Sequence, residues 1–170
     1  AEVVPGYLTS LLRVAANFQG VSPDTRLLAM LVAKNVVGSS WRKTVGTREW
    51  SRVAGDEKQV IRQMSLQLLF EEPEDKIALQ TALFIANVSR FDFPLEWPEI
   101  LTLLLEAIAS DTTSHTLGGV SASVVCTDIP ADLQIGHTPQ LKNYRGAVAL
   151  KHVLKALMTK NVVSLPNMSS

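Results

Sequence analysis

Apolar residues return every three or four positions along most of this chain, and no stretch of residues 1–110 alternates with period two. That rhythm restricts the fold to helices packed on helices. Leu8, Leu11, Leu12 and Ala15 form a first stripe, ended near Gly20. Pro23 and Asp24 open a second helix with the stripe Leu28, Leu31, Val32, Asn35 and Val36, which stops near Gly38 and Ser39. Residues 43–54 read as a polar connection. A third helix starts near Asp56, with Val60, Ile61, Met64 and Leu68 inward.

The run Glu71-Glu72-Pro73-Glu74-Asp75 closes that helix and opens the next, where acids suit the positive end of the helix dipole. From Lys76 to about Arg90 the fourth helix is apolar on most faces, so neighbours are expected on more than one side. Pro94 breaks it, and Pro98 sits in the first turn of a fifth helix whose stripe is Trp97, Ile100, Leu101, Leu104, Leu105 and Ile108. Residues 111–142 are small, polar and glycine-containing, and read as a long flexible loop or insertion. Helical spacing resumes over 143–163 with Tyr144, Ala147, Leu150, Val153 and Leu157, and 164–170 reads as a frayed tail.

The chain has 170 residues, 46% of them apolar, and a formal net charge of zero. It is long enough for one real core. Its neutrality gives no electrostatic reason to seek nucleic acid. A lone cysteine, Cys126, cannot form an internal disulfide and suits a reducing compartment. Lys34, Asn35, Asn87 and Glu106 interrupt the apolar runs before they reach the ~20 residues of a membrane span. The N-terminus shows no secretory leader pattern. A soluble intracellular protein is expected. The start at Ala1, close to a helix, reads as a piece of a longer chain.

Two successive helix pairs, over 24–70 and 75–110, have nearly the spacing of HEAT or armadillo units, about 40–47 residues. A compact six-helix bundle accounts for the same stripes, and periodicity alone leaves both open.

Little in the chain suggests bond chemistry. Cys126 and His137 fall in the least regular segment, whereas a nucleophile and its base need fixed geometry. His115, His137 and His152 lack ligand spacing with each other or with Cys126, so no metal is expected. No phosphate-binding loop is present, and no cofactor is expected. Trp41 and Trp97 are read as anchors that pin interhelix turns; ligand stacking is the alternative. Asn35, on an apolar stripe, is expected to bond backbone at a neighbouring helix end. Arg90 and Asp92 flank a helix stop, where a local ion pair or cap is the default and a partner contact the alternative. The acidic run 71–75 is read as a solvated turn.

The order of these features resembles the N-terminal part of the importin-β (karyopherin) family. Leu31-Val32-Ala33-Lys34-Asn35-Val36 followed by Trp41-Arg42-Lys43 is similar to the family's apolar helix, Lys-Asn pair and basic-flanked tryptophan. Ala82, Ile85, Ala86, Arg90, Asp92, Pro94, Trp97, Pro98, Glu99 and Ile100 fit its pattern Ala-x-x-Ile-Ala-x-x-Ala-Arg-x-Asp-x-Pro-x-x-Trp-Pro-Glu-Leu, with Ser89 at the small position. The helix from Arg145 to Lys155 resembles that of the importin eleven-like branch. The likeness covers 4–110 and 144–162; the Asp-x-Pro-x-x-Trp-Pro-Glu run is its most specific part.

The resemblance implies an all-α, HEAT/armadillo-type right-handed solenoid, a fragment of a longer receptor, with no enzyme activity. It implies a nuclear transport receptor shuttling between cytoplasm and nucleus. Its partners would be the small GTPase Ran in its GTP form, protein cargo and, through the full-length receptor, nucleoporins. The inner helices would be 5–19, 56–70 and 97–109, presenting Arg13, Asn17, Lys58, Arg62 and Glu106, with Lys58, Arg62 and Ser65 facing a partner together. Three departures stand out: the family's helix before Pro5 is missing, the chain stops after its sixth helix, and 111–142 replaces a brief connection. The alternatives are a HEAT-type scaffold or adaptor without GTPase affinity and, more remotely, a helical enzyme using Cys126.

Overall fold

The computed structural model describes residues 5–41, 43–45, 48–50, 53–109 and 139–162. Cys126, His115, His137 and the expected loop and tail lie outside the described residues, apart from the loop's last four positions. Six helices, α1 (Tyr7–Ala15), α2 (Pro23–Ser40), α3 (Gly55–Glu71), α4 (Asp75–Asp92), α5 (Ile100–Ala109) and α6 (Pro139–Val162), are joined by one small ribbon. In it, β1 (Lys43–Val45) pairs antiparallel with β2 (Arg48–Trp50), Thr44 opposite Glu49. The polar connection expected over 43–54 thus contains a pair of antiparallel strands. Three-residue strands are too short to show a period-two pattern.

Helix ends follow local chemistry. Ser22 caps α2, its hydroxyl accepting from the Thr25 amide at 3.4 Å, and Pro23 stands in the first turn, where no N–H is needed. Gly6 precedes α1 at φ +81°, a left-handed conformation that glycine adopts without strain. Its amide and the Thr9 hydroxyl both donate to Glu57, at 3.2 and 3.0 Å, tying the start of α1 to α3. α2 continues through Gly38 to Ser40, beyond the stop expected there. α6 starts at Pro139, four residues before the expected boundary, because a proline is as acceptable in a first turn as in a loop.

The helices form two layers. α2 packs on α4 and α4 on α6; on the other side α1 packs on α2 and α3, α3 on α4, and α5 on α6. Serial packing of this kind is that of a solenoid, and α1 and α6 at the two ends share no extensive contact. Among consecutive helices, those that pack together are α1/α2, α3/α4 and α5/α6, not the pairs 24–70 and 75–110 expected from spacing. Only 72–74 separate α3 from α4, and so short a link holds neighbours side by side. The ribbon carries the chain from α2 to α3, and the turn over 93–99, with its cis Phe93–Pro94 bond, carries it from α4 to α5.

α4 is the centre of the core. Ile77, Ala82, Phe84, Ile85, Ala86 and Val88 are buried on several sides, as its greasy sequence suggests. Its buried Thr81 and Ser89 satisfy themselves on the carbonyls of Ile77 and Ile85, so neighbours approach closely without leaving a polar group unpaired. In α2 the buried face is Arg26, Ala29, Met30, Ala33, Val37 and Ser40. The expected stripe was out of phase: Leu28 is 61% exposed and Asn35 is exposed rather than packed at a helix end. Both faces of α2 are apolar enough to mislead, and the small alanines, which let α1 and α4 come near, won the core.

Where α5 meets α6, Gly146 is buried, and a Cβ there would lie 3.2 Å from Ile108 Cγ1 and 3.4 Å from the Leu104 carbonyl oxygen. Gly146→Leu should therefore push the two helices apart and lower stability by roughly 1–3 kcal/mol, read by urea denaturation. An unchanged midpoint would show that this crossing is loose.

Candidate interaction surface

α1, α3 and α5 form the layer opposite α2, α4 and α6, and two buried polar clusters fix how its members sit. The first gathers around Asp92, the last residue of α4. Its carboxylate accepts from Trp41 Nε1 at 2.8 Å and from Arg62 Nε and Nη2 at 3.0 and 2.6 Å. Arg62 also donates to the Glu96 carbonyl at 2.9 Å and pairs with the Glu96 carboxylate at 3.1 Å. Lys58 reaches the same carboxylate at 3.4 Å, its ammonium 5.3 Å from the Trp41 ring centre. The Arg62 guanidinium lies 5.8 Å from the Trp97 ring centre. The Asp92 backbone carbonyl takes the amides of Glu96 and Trp97, closing the turn. Asp92 thus joins the end of α2 and the middle of α3 through its carboxylate, and the α4–α5 turn through its backbone carbonyl.

This arrangement revises several sequence-level expectations. Lys58 and Ser65 do not face a partner: they are 6% and 0% exposed, because the α4–α5 turn folds over Lys58 and α4 covers that side of α3. Arg62 is mostly covered and committed to Asp92 and Glu96. Asp92 serves neither as a merely local pair nor as a solvated cap; its partners stand 51 and 30 positions away. Trp41 and Trp97 are both buried. Arg90, Pro94 and Pro98 are exposed, and Lys34 donates to Gln80 on α4 at 2.7 Å.

The second cluster was not anticipated. Arg26 in α2 and Glu72 after α3 form an ion pair, 2% and 0% exposed, in which Arg26 Nη2 donates to both carboxylate oxygens. Arg26 Nε also donates to the Ala15 carbonyl at the end of α1, and its guanidinium stacks 4.8 Å over Phe18. Glu72 accepts from the Glu74 amide at 3.0 Å. The acidic run 71–75 is therefore only partly a solvated turn. A buried pair satisfied this fully holds the junction of α1, α2 and α3 in one geometry.

What the layer leaves open is modest. Arg13, Asn17 and Glu106 are exposed, although Asn17 Oδ1 accepts from the Gly20 amide at 2.8 Å in the turn after α1. Between α3 and the start of α5 runs a groove of about 430 Å³, lined by Gln59, Gln63, Leu66, Trp97, Glu99 and Leu103, with Arg62 and Glu96 at its base. Its exposed glutamines and Glu99 can hydrogen-bond a protein surface, and Leu66 and Leu103 offer apolar contact. Among the described residues no cluster of His, Cys, Asp or Glu is placed to hold a metal ion, and no helix is long and apolar enough to cross a membrane. Burial and the neighbouring charges of Lys151 and Lys155 hold the His152 imidazole below its ordinary pKa, so it is neutral at pH 7.

Serial packing in two layers, with polar clusters locking the junctions, defines a HEAT-type helical solenoid fragment. Residues 1–71 match the family model of the importin-β N-terminal domain. It is 31% identical to human Importin-11 over 107 residues, 63% of this chain and 10% of that protein. It is 24% identical to Exportin-2 of Dictyostelium discoideum over 155 residues, 91% of this chain and 15% of that protein. Over 102 residues it is 30% identical to Importin subunit beta-5 of Saccharomyces cerevisiae, 59% of this chain and 10% of that protein. The chain thus spans about a tenth to a seventh of the length of these relatives. No solved structure matches it significantly.

Proposed function

We propose that this chain is the N-terminal part of a nuclear transport receptor, and that its α1–α3–α5 layer engages the GTP form of the small GTPase Ran. The observation that carries the proposal is the importin-β N-terminal match over residues 1–71, which includes α1, α2 and α3. Relatives named both importin and exportin support transport in general more strongly than one direction of it. The contact would run over Arg13 and Asn17, along the α3–α5 groove, to Glu106, with Lys58 and Arg62 shaping the groove from beneath. No bond chemistry is involved. Ran binding would change the affinity for protein cargo held on later repeats, a coupling of two sites through one superhelix. Such a receptor works in both cytoplasm and nucleus, and contacts nucleoporins through its full length.

One observation favours the second reading, a HEAT-type scaffold without GTPase affinity. Lys58 and Arg62, two of the cations nominated for Ran, are committed to Glu96 and Asp92. The test is a titration of the chain against Ran loaded with a non-hydrolysable GTP analogue, with Ran-GDP alongside. The receptor reading expects the GTP form to bind at least about tenfold more tightly, a difference of about 1.4 kcal/mol. It also expects Arg13→Glu and Glu106→Lys to weaken that binding while helicity is unchanged. Equal binding of both forms, or none, by a folded chain supports the scaffold.

A further inference from the structure

We propose that a cleft between the end of α3, the start of α4 and the start of α6 binds a peptide segment in which a carboxylate stands next to an apolar side chain. The inference does not rest on the Ran reading, since the cleft involves α6 and lies away from the α3–α5 groove.

The cleft has a volume of about 240 Å³. Leu69, Ala78 and Val148 make an apolar floor, and Leu79 and Tyr144, 42% and 66% exposed, stand at its sides. A floor of this kind beside two large exposed side chains suits one aliphatic or aromatic residue.

The charge comes from Arg145, which is 3% exposed and lines the same cleft. Arg62 shows how a guanidinium is satisfied in this protein: its Nε and Nη2 edge closes on Asp92 at 3.0 and 2.6 Å. In Arg145 that edge is incomplete. Nη2 reaches Asp75 Oδ1 at 3.3 Å, Nη1 reaches the Leu69 carbonyl at 3.5 Å, and Nε has no partner. Asp75 is 84% exposed and holds Arg145 from the solvent side, so it offers a weak and displaceable partner. A buried guanidinium N–H without an acceptor is costly, and an incoming carboxylate satisfies it with a charge-assisted pair of bonds.

Charge complementarity selects the anion. Lys76 and Arg145 against Asp75 leave the cleft one positive charge in excess. An acidic–apolar peptide neutralises the charge and fills the floor together.

The experiment uses the intact chain and a fluorescein-labelled peptide, Ser-Asp-Leu-Phe-Ser, with its twin Ser-Asn-Leu-Phe-Ser as control, read by fluorescence anisotropy. The acidic peptide is expected to bind about tenfold more tightly than the amide twin. Leu79→Glu, on an exposed side of the cleft, should abolish the preference. Asp75→Asn, which removes the competing carboxylate at an exposed position, should tighten the acidic peptide several-fold. Equal binding of the twins overturns the proposal and leaves only an apolar patch. So does failure of the acidic peptide to bind, or an Asp75→Asn variant that binds the acidic peptide more weakly.

Discussion

Asp92→Ala is expected to lower the unfolding free energy by about 3–5 kcal/mol, the range found when one partner of a buried, hydrogen-bonded ion pair is removed. Asp92 is 1% exposed, and its loss leaves the Trp41 indole N–H and the Arg62 guanidinium without their carboxylate. Arg62 keeps Glu96, which limits the damage at that end. At the Trp41 end, the carboxylate reaches the indole N–H from the C-terminal end of α4 at 2.8 Å. Asp92→Asn retains an acceptor for the indole and loses only the charge, so it should cost less than alanine. Urea denaturation followed by far-ultraviolet circular dichroism separates the cases, provided the slope of the transition is unchanged. A loss under about 1 kcal/mol for alanine, the size of an exposed pair, would mean that the cluster is solvated in solution.

The Arg26–Glu72 pair should behave as a unit. Glu72→Ala strands a fully buried guanidinium and also removes the acceptor of the Glu74 amide, and about 3–5 kcal/mol of stability should disappear with it. The double variant Arg26→Met with Glu72→Leu removes both charges and keeps comparable volume. It should be markedly more stable than Glu72→Ala, since exchanging a buried pair for apolar residues is often close to neutral. What remains lost are the bonds from Arg26 Nε to the Ala15 carbonyl and from the Glu74 amide to Glu72, about 1 kcal/mol each. A double variant no better than the single one would show that the pair's shape, rather than its charge balance, organises the α1–α2–α3 junction. Coupling between the two positions, measured by the full mutant cycle, reports this directly.

Both clusters illustrate how far the residues could be read before their positions in space were known. Trp41, Asp92, Pro94 and Trp97 are legible as a recurring pattern, and the tryptophans as anchors of interhelix turns. The bonds among them are not, because Trp41 and Asp92 are 51 positions apart and local spacing carries no record of which side chains meet. Arg26 and Glu72, 46 positions apart, were hidden for a second reason. A buried arginine breaks an apolar stripe, so Leu28, Leu31 and Val32 suggest one phase for α2, while the buried face follows Arg26, Ala29, Met30, Ala33 and Val37. The same blindness placed Lys58 and Ser65 on an open face, since helical spacing shows which residues share a side and not what covers it.

By itself the sequence determined that the chain is helical, where its helices lie to within a few residues, and which family its motifs resemble. Apolar periodicity, proline positions and turn chemistry act within a turn or two of chain, and those signals are local. Only the tertiary structure decided which consecutive helices pack together (α1/α2, α3/α4 and α5/α6), that the helices stack serially into two layers, and that Lys43–Val45 pairs with Arg48–Trp50. It also decided which charged residues are internal ties and which are surface. That choice depends on burial by distant elements: a guanidinium enters the core only where a carboxylate from another helix awaits it, and that meeting exists only once the layers have closed.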